Sequence, residues 1–277
     1  MKTAWKRNLA VAALLIAGLS VLFYPFISNR FYQYKADKAI EKYMKETKNA
    51  KATDSEEEIA KAQLYNKGLV GQVPPETFSA REGILHDSEY DGLLNRMQDG
   101  MMGCIEVPSI RIKLPIYHYT DKTVLEKGAG HLFGSSLPVG GDSTHAVITA
   151  HRGLPSAKMF TDLDLVKKGD LIYLYVEGKN LAYAVDQIKT VDPEDCSDLG
   201  IEEGKDQVTL VTCTPYGKNT ERLLVRGQRT KYPGQSTPGH HRFPLQHILF
   251  GLAGILSAIL LIILIRVGKR RWARRTP

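Results

Sequence analysis

The chain has 277 residues, a formal charge of +7 and three cysteines, which leaves room for one sizeable domain with attachments. So few cysteines exclude a small domain built on disulfides, and an odd number leaves at least one thiol free. The positive balance does not point to nucleic acid, because it sits at the ends: Lys2, Lys6 and Arg7 on one side, Arg266, Lys269, Arg270, Arg271, Arg274 and Arg275 on the other.

Leu9 to Ile27 contains no Lys, Arg, Asp or Glu and is long enough to cross a bilayer. A signal peptide would have the same basic lead-in, but Phe23-Tyr-Pro-Phe-Ile is too bulky for a cleavage site, so an uncleaved anchor is expected. Ile248 to Ile265 is a second such stretch. Basic residues flank each span on its outer end. The positive-inside rule then places both termini in the cytoplasm and residues from about 29 to 243 outside. The last tail would also meet anionic membrane lipids.

Arg30 to Met44 and Ser55 to Asn66 are charged, with apolar residues at helical spacing as in Ala39, Ile40, Tyr43 and Met44, so two helices are expected. Thr53-x-x-Glu56 and Ser55-x-x-Glu58 have the form of capping boxes. A solvated spacer and a packed role both fit these helices. Gly71 to Glu89, with Pro74, Pro75 and Gly83, reads as a loop long enough to be functional.

From Gly103 onward the pattern changes to short β runs: Cys104 to Val107, Ile110 to Tyr117, Ala146 to Thr149, Asp170 to Val176, Leu181 to Ile188, Gln207 to Cys213 and Leu223 to Val225. Leu154 to Val166 suits a helix starting near Pro155, and Gly178-Lys179-Asn180 suits a hairpin turn. The expected fold class is mainly β, a closed and mostly antiparallel barrel with short inserted helices. Gly234 to His241 reads as a linker to the second span. The expected organisation is a tail and anchor over 1–28, a helical segment with the loop over 29–92, the barrel over 93–232, a linker over 233–247, and the second span with its tail over 248–277.

Candidate chemistry centres on Thr209 to Gly227, which reads as a hairpin with Pro215, Gly217 and Asn219 in the gap. Residues equidistant from a turn face each other, so Cys213 and Arg222 become neighbours at one rim, joined by a loop of about eight residues. Taken alone, a Cys in such a strand is most often a small buried hydrophobe and an Arg a solvated edge charge. A thiol that attacks an amide needs a base, and the leaving amine needs an acid; one His can serve both. His145 and His151 flank one expected strand with equal parity. His151, at the strand end before Arg152-Gly-Leu-Pro, lies where a substrate could reach. No Cys-x-x-Cys or His-x-x-x-His spacing supports a metal, and no cofactor is expected. Cys104 and Cys196 could pair, leaving Cys213 free.

Thr209-Leu-Val-Thr-Cys213-Thr-Pro-Tyr-Gly followed by Asn219-Thr-x-Arg222-Leu-Leu-Val-Arg-Gly resembles the active-site signature of sortases, specifically the pilus-assembling class C. The similarity continues through Gly130-His-Leu, Ser136-Leu-Pro-Val-Gly-Gly and Thr149-Ala-His151-Arg-Gly-Leu-Pro. The resemblance implies an eight-stranded sortase barrel with Cys213 as nucleophile, His151 as acid and base, and Arg222 as substrate and oxyanion clamp; Thr212 and Tyr216 are candidates for substrate contact. It further implies pilin or surface-protein substrates carrying a Leu-Pro-x-Thr-Gly motif, cut after Thr to a thioester and passed to a pilin lysine. Class C sortases commonly carry a lid with an Asp-Pro-aromatic motif. This chain offers only Pro75-Glu76-Thr77-Phe78, so Glu76 and Phe78 are the residues available to fill the groove. The alternatives are a housekeeping sortase that anchors proteins to peptidoglycan, a secreted cysteine hydrolase, and a non-catalytic adhesion module.

Overall fold

The computed structural model describes residues 2–70 and 87–234, with side chains from residue 14 onward. The expected second span, most of its linker, Glu76 and Phe78 lie outside the described residues. Eight strands form a closed barrel: β1 (Met101–Val107), β2 (Ile112–His118), β3 (Ala129–His131), β4 (Thr144–Thr149), β5 (Leu171–Val176), β6 (Lys179–Val191), β7 (Asp206–Thr214) and β8 (Glu221–Thr230), in the order β1-β2-β3-β4-β7-β8-β6-β5. All pairings are antiparallel except β2–β3 and β4–β7. Alternate residues such as Ala146, Ile148, Val208, Leu210 and Val225 fill the interior with Ile105, Leu114 and Leu174, as the period of two requires.

The anchor and the first expected helix are one element, α1 (Lys2–Asn49), which runs through Pro25 without a break. Among the described residues it is the one helix long and apolar enough to cross a membrane. The second helix, α2 (Ala52–Leu69), starts after Lys51, which makes no side-chain cap. The expected capping boxes therefore do not form: Thr53 bonds Asp54, and the Ser55 hydroxyl turns to Glu177 instead. Both helices are packed rather than solvated. Ala36, Ile40 and Tyr43 of α1 and Ile59, Ala62 and Leu69 of α2 are buried. Asn66 Nδ2 donates to Leu137 O (3.0 Å) and its Oδ1 accepts from Leu137 N (2.7 Å), meeting both backbone groups of one buried residue.

Two local expectations are corrected. Leu154 to Val166 is no helix: it consists of turns with a single 3-10 turn at Leu163–Leu165, because Gly153 takes φ +79°, Met159 takes φ +38°, and Phe160 N donates back to His151 O. The β5–β6 hairpin turns on Glu177-Gly178, one residue earlier than expected, with both residues at positive φ as a two-residue turn of the I′ kind demands. The cysteines are all free. Cys104 packs with Ile40, Tyr43 and Tyr173, whereas Cys196 packs with Val147, Leu199 and Val211 in a separate cluster. Burial pushes the Cys104 thiol up to about 12 and the Cys196 thiol to about 11, which leaves both protonated and inert at neutral pH.

Candidate active site

Register brings three of the expected residues into one row. β7 and β8 pair Cys213 with Arg222. β4 and β7 pair Thr149 with Val211 in parallel, and the ladder continues beyond β4 through Ala150 N donating to Val211 O (3.2 Å). His151 and Cys213 each stand two residues past that last pair, so His151, Cys213 and Arg222 follow one another across three adjacent strand ends. They share a face with Val147, Val211 and Leu224, which pack with Leu132, Val191, Cys196 and Leu199 in a small apolar cluster outside the barrel interior. The row thus sits on the outer face of one rim, beside an apolar floor.

His151 is half-buried. Loss of hydration lowers its pKa, and the Glu126 carboxylate partly offsets this. The imidazole therefore rests neutral at pH 7, the form that can accept a thiol proton. The other three described histidines are buried and engaged. His145 meets Gly200 O through Nδ1 (2.9 Å) and Thr209 Oγ1 through Nε2 (2.7 Å). His131 lies between Tyr90 OH (2.7 Å) and Ser136 O (2.8 Å), and His118 between Gly100 O and the carbonyls of Tyr90 and Leu93.

Cys213 is half-buried and free. Arg222 donates through Nη1 to Asn219 O (3.3 Å) and Glu221 O (3.1 Å) and forms no ion pair with the described residues. Its own turn fixes one edge of the guanidinium, and the remaining donors have no partner among the described residues. Thr212 is buried, and its hydroxyl donates to Ala150 O (2.8 Å), so it ties β7 to the segment leading into His151 rather than facing a groove. Tyr216 is exposed, and its ring covers Gly153: a Cβ on that glycine would lie 3.0 Å from the ring. The loops that follow β4 and β7 therefore meet there.

Sequence reasoning missed Arg152. Its guanidinium, 8% exposed, donates through Nη1 to Thr214 Oγ1 (2.9 Å) and pairs through Nη2 with Asp164 (2.7 Å), while Nε is buried without a partner. It joins the residue after His151 to the residue after Cys213. Its one sequence signal is adjacency to His151, which by itself distinguishes nothing. No group of metal-ligating side chains occurs among the described residues.

Comparison with known proteins places this geometry in context. The sortase domain family matches residues 105–230. The chain is 30% identical over 231 residues to sortase A of Streptococcus agalactiae serotype III (strain NEM316), covering 81% of this chain and 85% of that protein. Among solved structures, sortase C1 of Streptococcus agalactiae is 44% identical with a TM-score of 0.63, covering 70% of this chain and 99% of the other. Streptococcus pneumoniae sortase C, whose structure is described as bearing on pilin substrate specificity, is 41% identical with a TM-score of 0.62, covering 70% and 97%. Sortase C-1 of Actinomyces oris is 43% identical with a TM-score of 0.61, covering 65% and 99%.

Proposed function

The chain belongs to the sortase family of cysteine transpeptidases, and on that premise we propose that it is a class C, pilus-assembling member working through Cys213, His151 and Arg222. The observation that carries the site assignment is the row itself: a free thiol, a half-buried neutral imidazole and a guanidinium with unused donors on three adjacent strand ends. The class C reading is supported by the near-complete coverage of solved sortase C chains at over 40% identity.

The proposed reaction divides into two acyl transfers. His151 takes the Cys213 proton as sulfur attacks the carbonyl of the Thr in a Leu-Pro-x-Thr-Gly motif, and Arg222 donates to the oxygen that becomes negative. The imidazolium then gives its proton to the departing Gly nitrogen, leaving a thioester. An incoming pilin lysine amine attacks the thioester, His151 removes its proton, and the thiol is released with an isopeptide bond in place. Tyr216 and the loop it covers form one wall of the substrate path. We read α1 as an uncleaved anchor, with both termini cytoplasmic and the 93–232 barrel outside; protease added to intact protoplasts should then digest the middle of the chain and spare the C-terminal tail.

The deciding experiment offers the enzyme a motif-bearing pilin with either a lysine-bearing pilin or a peptidoglycan-type amine, and measures thioester and product by mass spectrometry. Wild type should form the Thr to Lys isopeptide. Cys213→Ala should form no thioester, and His151→Ala should scarcely accumulate one. Arg222→Ala should lose about 100-fold, the range for an oxyanion donor. Arg222→Lys should also fail to recover wild-type turnover, since an ammonium lacks the planar fork. Turnover by folded Cys213→Ala would sink the mechanism, and exclusive use of the peptidoglycan amine would sink the pilus assignment.

A further inference from the structure

Helix α1 is fastened to the barrel at successive heights, and its first fastenings are at the loops that flank His151. Ser28 Oγ donates to Pro155 O (3.1 Å), and Asn29 Oδ1 accepts from Lys158 N (2.8 Å). One turn later Tyr32 OH donates to Lys127 O (3.2 Å). Pro155 and Lys158 lie in the loop after His151, the loop in which Phe160 N donates to His151 O. Lys127 follows Glu126, whose carboxylate acts on the His151 imidazole. Further along, Tyr43 OH donates to Met102 O (2.8 Å) and accepts from Glu177 N (3.0 Å). The helix from Ser28 to Tyr43 rises about 22 Å at 1.5 Å per residue. The Glu177-Gly178 turn therefore stands about that much further along the axis than Pro155.

Two features of α1 fix where the lipid surface falls on this scale. The apolar stretch ends at Ile27, one residue before the first fastening, and Val21, Leu22, Phe26 and Ile27 are each more than 60% exposed, uncovered by any of the described residues. Just beyond, Phe31 and Tyr34 are exposed on the undocked side, with Lys35 Nζ 4.5 Å and Lys38 Nζ 5.8 Å from their ring centroids. Aromatic rings paired with basic heads are the side chains that settle at a membrane interface. No loop separates this interfacial turn from the docked turns, so the barrel cannot pivot away from the bilayer without breaking α1.

We propose that the rim carrying His151 and Cys213 is the membrane-facing end of the barrel, and that α1 is a rigid ruler holding it at the level of the lipid headgroups. The inference rests on the reading of α1 as a span and of Cys213 and His151 as the site. Its consequence is a preference for substrates anchored in the same bilayer, with the cleaved peptide bond close to the headgroups. Soluble peptides carrying the same bond gain nothing from the ruler.

The test uses the full chain in phosphatidylcholine and phosphatidylglycerol vesicles. In a Cys213→Ala background the remaining cysteines are buried, so a bimane label reports one introduced thiol, at Pro155→Cys or at Lys179→Cys. A nitroxide on the lipid headgroup should quench bimane strongly at position 155 and leave it bright at position 179. Equal or reversed quenching would overturn the proposal, whereas a chain that fails to float with vesicles would instead remove the reading of α1 as a span. In a second arm, Ala-Glu-Ala-Ala-Lys-Ala-Ala inserted between Ile27 and Ser28 lifts the barrel by about 10 Å and preserves its facing. Turnover of a vesicle-anchored substrate should fall about tenfold as effective concentration is lost, while turnover of a soluble peptide holds. Undiminished turnover of the anchored substrate would refute the ruler. The quenching arm involves no chemistry, so it stands or falls separately from the catalytic assignment.

Discussion

Replacing Arg152 with Met removes the side chain that joins the His151 segment to the end of β7. On the stability side, the charged bond to Thr214 Oγ1 at 2.9 Å contributes on the order of 1.5 kcal/mol. The Asp164 pair contributes less, about 0.5 kcal/mol, because that carboxylate is 46% exposed. Against these, Met removes a buried Nε that has no partner, recovering about 1 kcal/mol. The net loss is about 1 kcal/mol, which an ordinary domain survives. Catalysis should suffer more, since a displacement of about 1 Å between nucleophile and base is enough for a loss of order 100-fold. We therefore expect Arg152→Met to unfold within about 1 kcal/mol of wild type but to form thioester ~10- to 100-fold more slowly, with KM little changed. Single-turnover thioester formation, read beside denaturant unfolding, measures both. Thr214→Val should reproduce the kinetic defect, Thr214→Ser should retain turnover, and Arg152→Lys should not rescue, because one ammonium cannot span both partners. Thioester formation within twofold of wild type in folded Arg152→Met would refute the positioning argument, as would a defect confined to KM.

Two further outcomes concern His131 and Gly153. Burial holds His131 down at about 4, below the 6.5 of a free imidazole. The unfolded chain therefore protonates first as pH falls: the contribution is complete above pH 6.5 and lost between there and about pH 4, a change of about 3 kcal/mol. His145, lowered by the same cause, acts in the same direction; unfolding followed from pH 7 to 4 should be shallower in His131→Gln, and an identical slope would dismiss the assignment. Gly153→Ala should cost about 1 kcal/mol for the left-handed backbone and displace Tyr216, whose ring lies 3.0 Å from the new Cβ. Adding Tyr216→Ala should relieve the crowding but not the backbone strain, so full recovery of stability in the double variant would contradict this division.

Strand content was legible because Leu, Ile, Tyr and Val fill β5 and Val and Thr fill β7, and the facing of Cys213 and Arg222 was legible because distance from a turn determines it. β3 was not. Ala129-Gly-His131 has no alternation to read, and it is a strand because Gly130 lets the backbone approach Tyr119 O, where a Cβ would come within 2.2 Å. The supposed helix after Pro155 failed for a related reason, since local propensity yielded to the hydrogen bond between Phe160 and His151 and to the packing of Phe160 in the core. The unbroken run of α1 through Pro25 was hidden because charge and hydropathy change at residue 30 although the backbone does not.

His151 stands beside Cys213 through a parallel pairing, and parallel pairing leaves no mark in sequence, because no turn ties the two strands at a fixed distance. What sets it is a pair of buried polar contacts at the two ends of the shared ladder: His145 Nε2 with Thr209 Oγ1 (2.7 Å), and Thr212 Oγ1 with Ala150 O (2.8 Å). A slip of one residue between β4 and β7 would break both contacts. It would also turn alternate side chains of β4 to the opposite face, moving Ala146, Ile148 and Ala150 out of the interior and His151 away from the row. His145 and Thr212 thus lie outside the proposed chemistry yet fix the position of the proposed base. For that reason the two histidines of equal parity could not be separated by alternation: both belong to one face, with His145 closing the far end of the ladder under Gly200 and His151 at its open end.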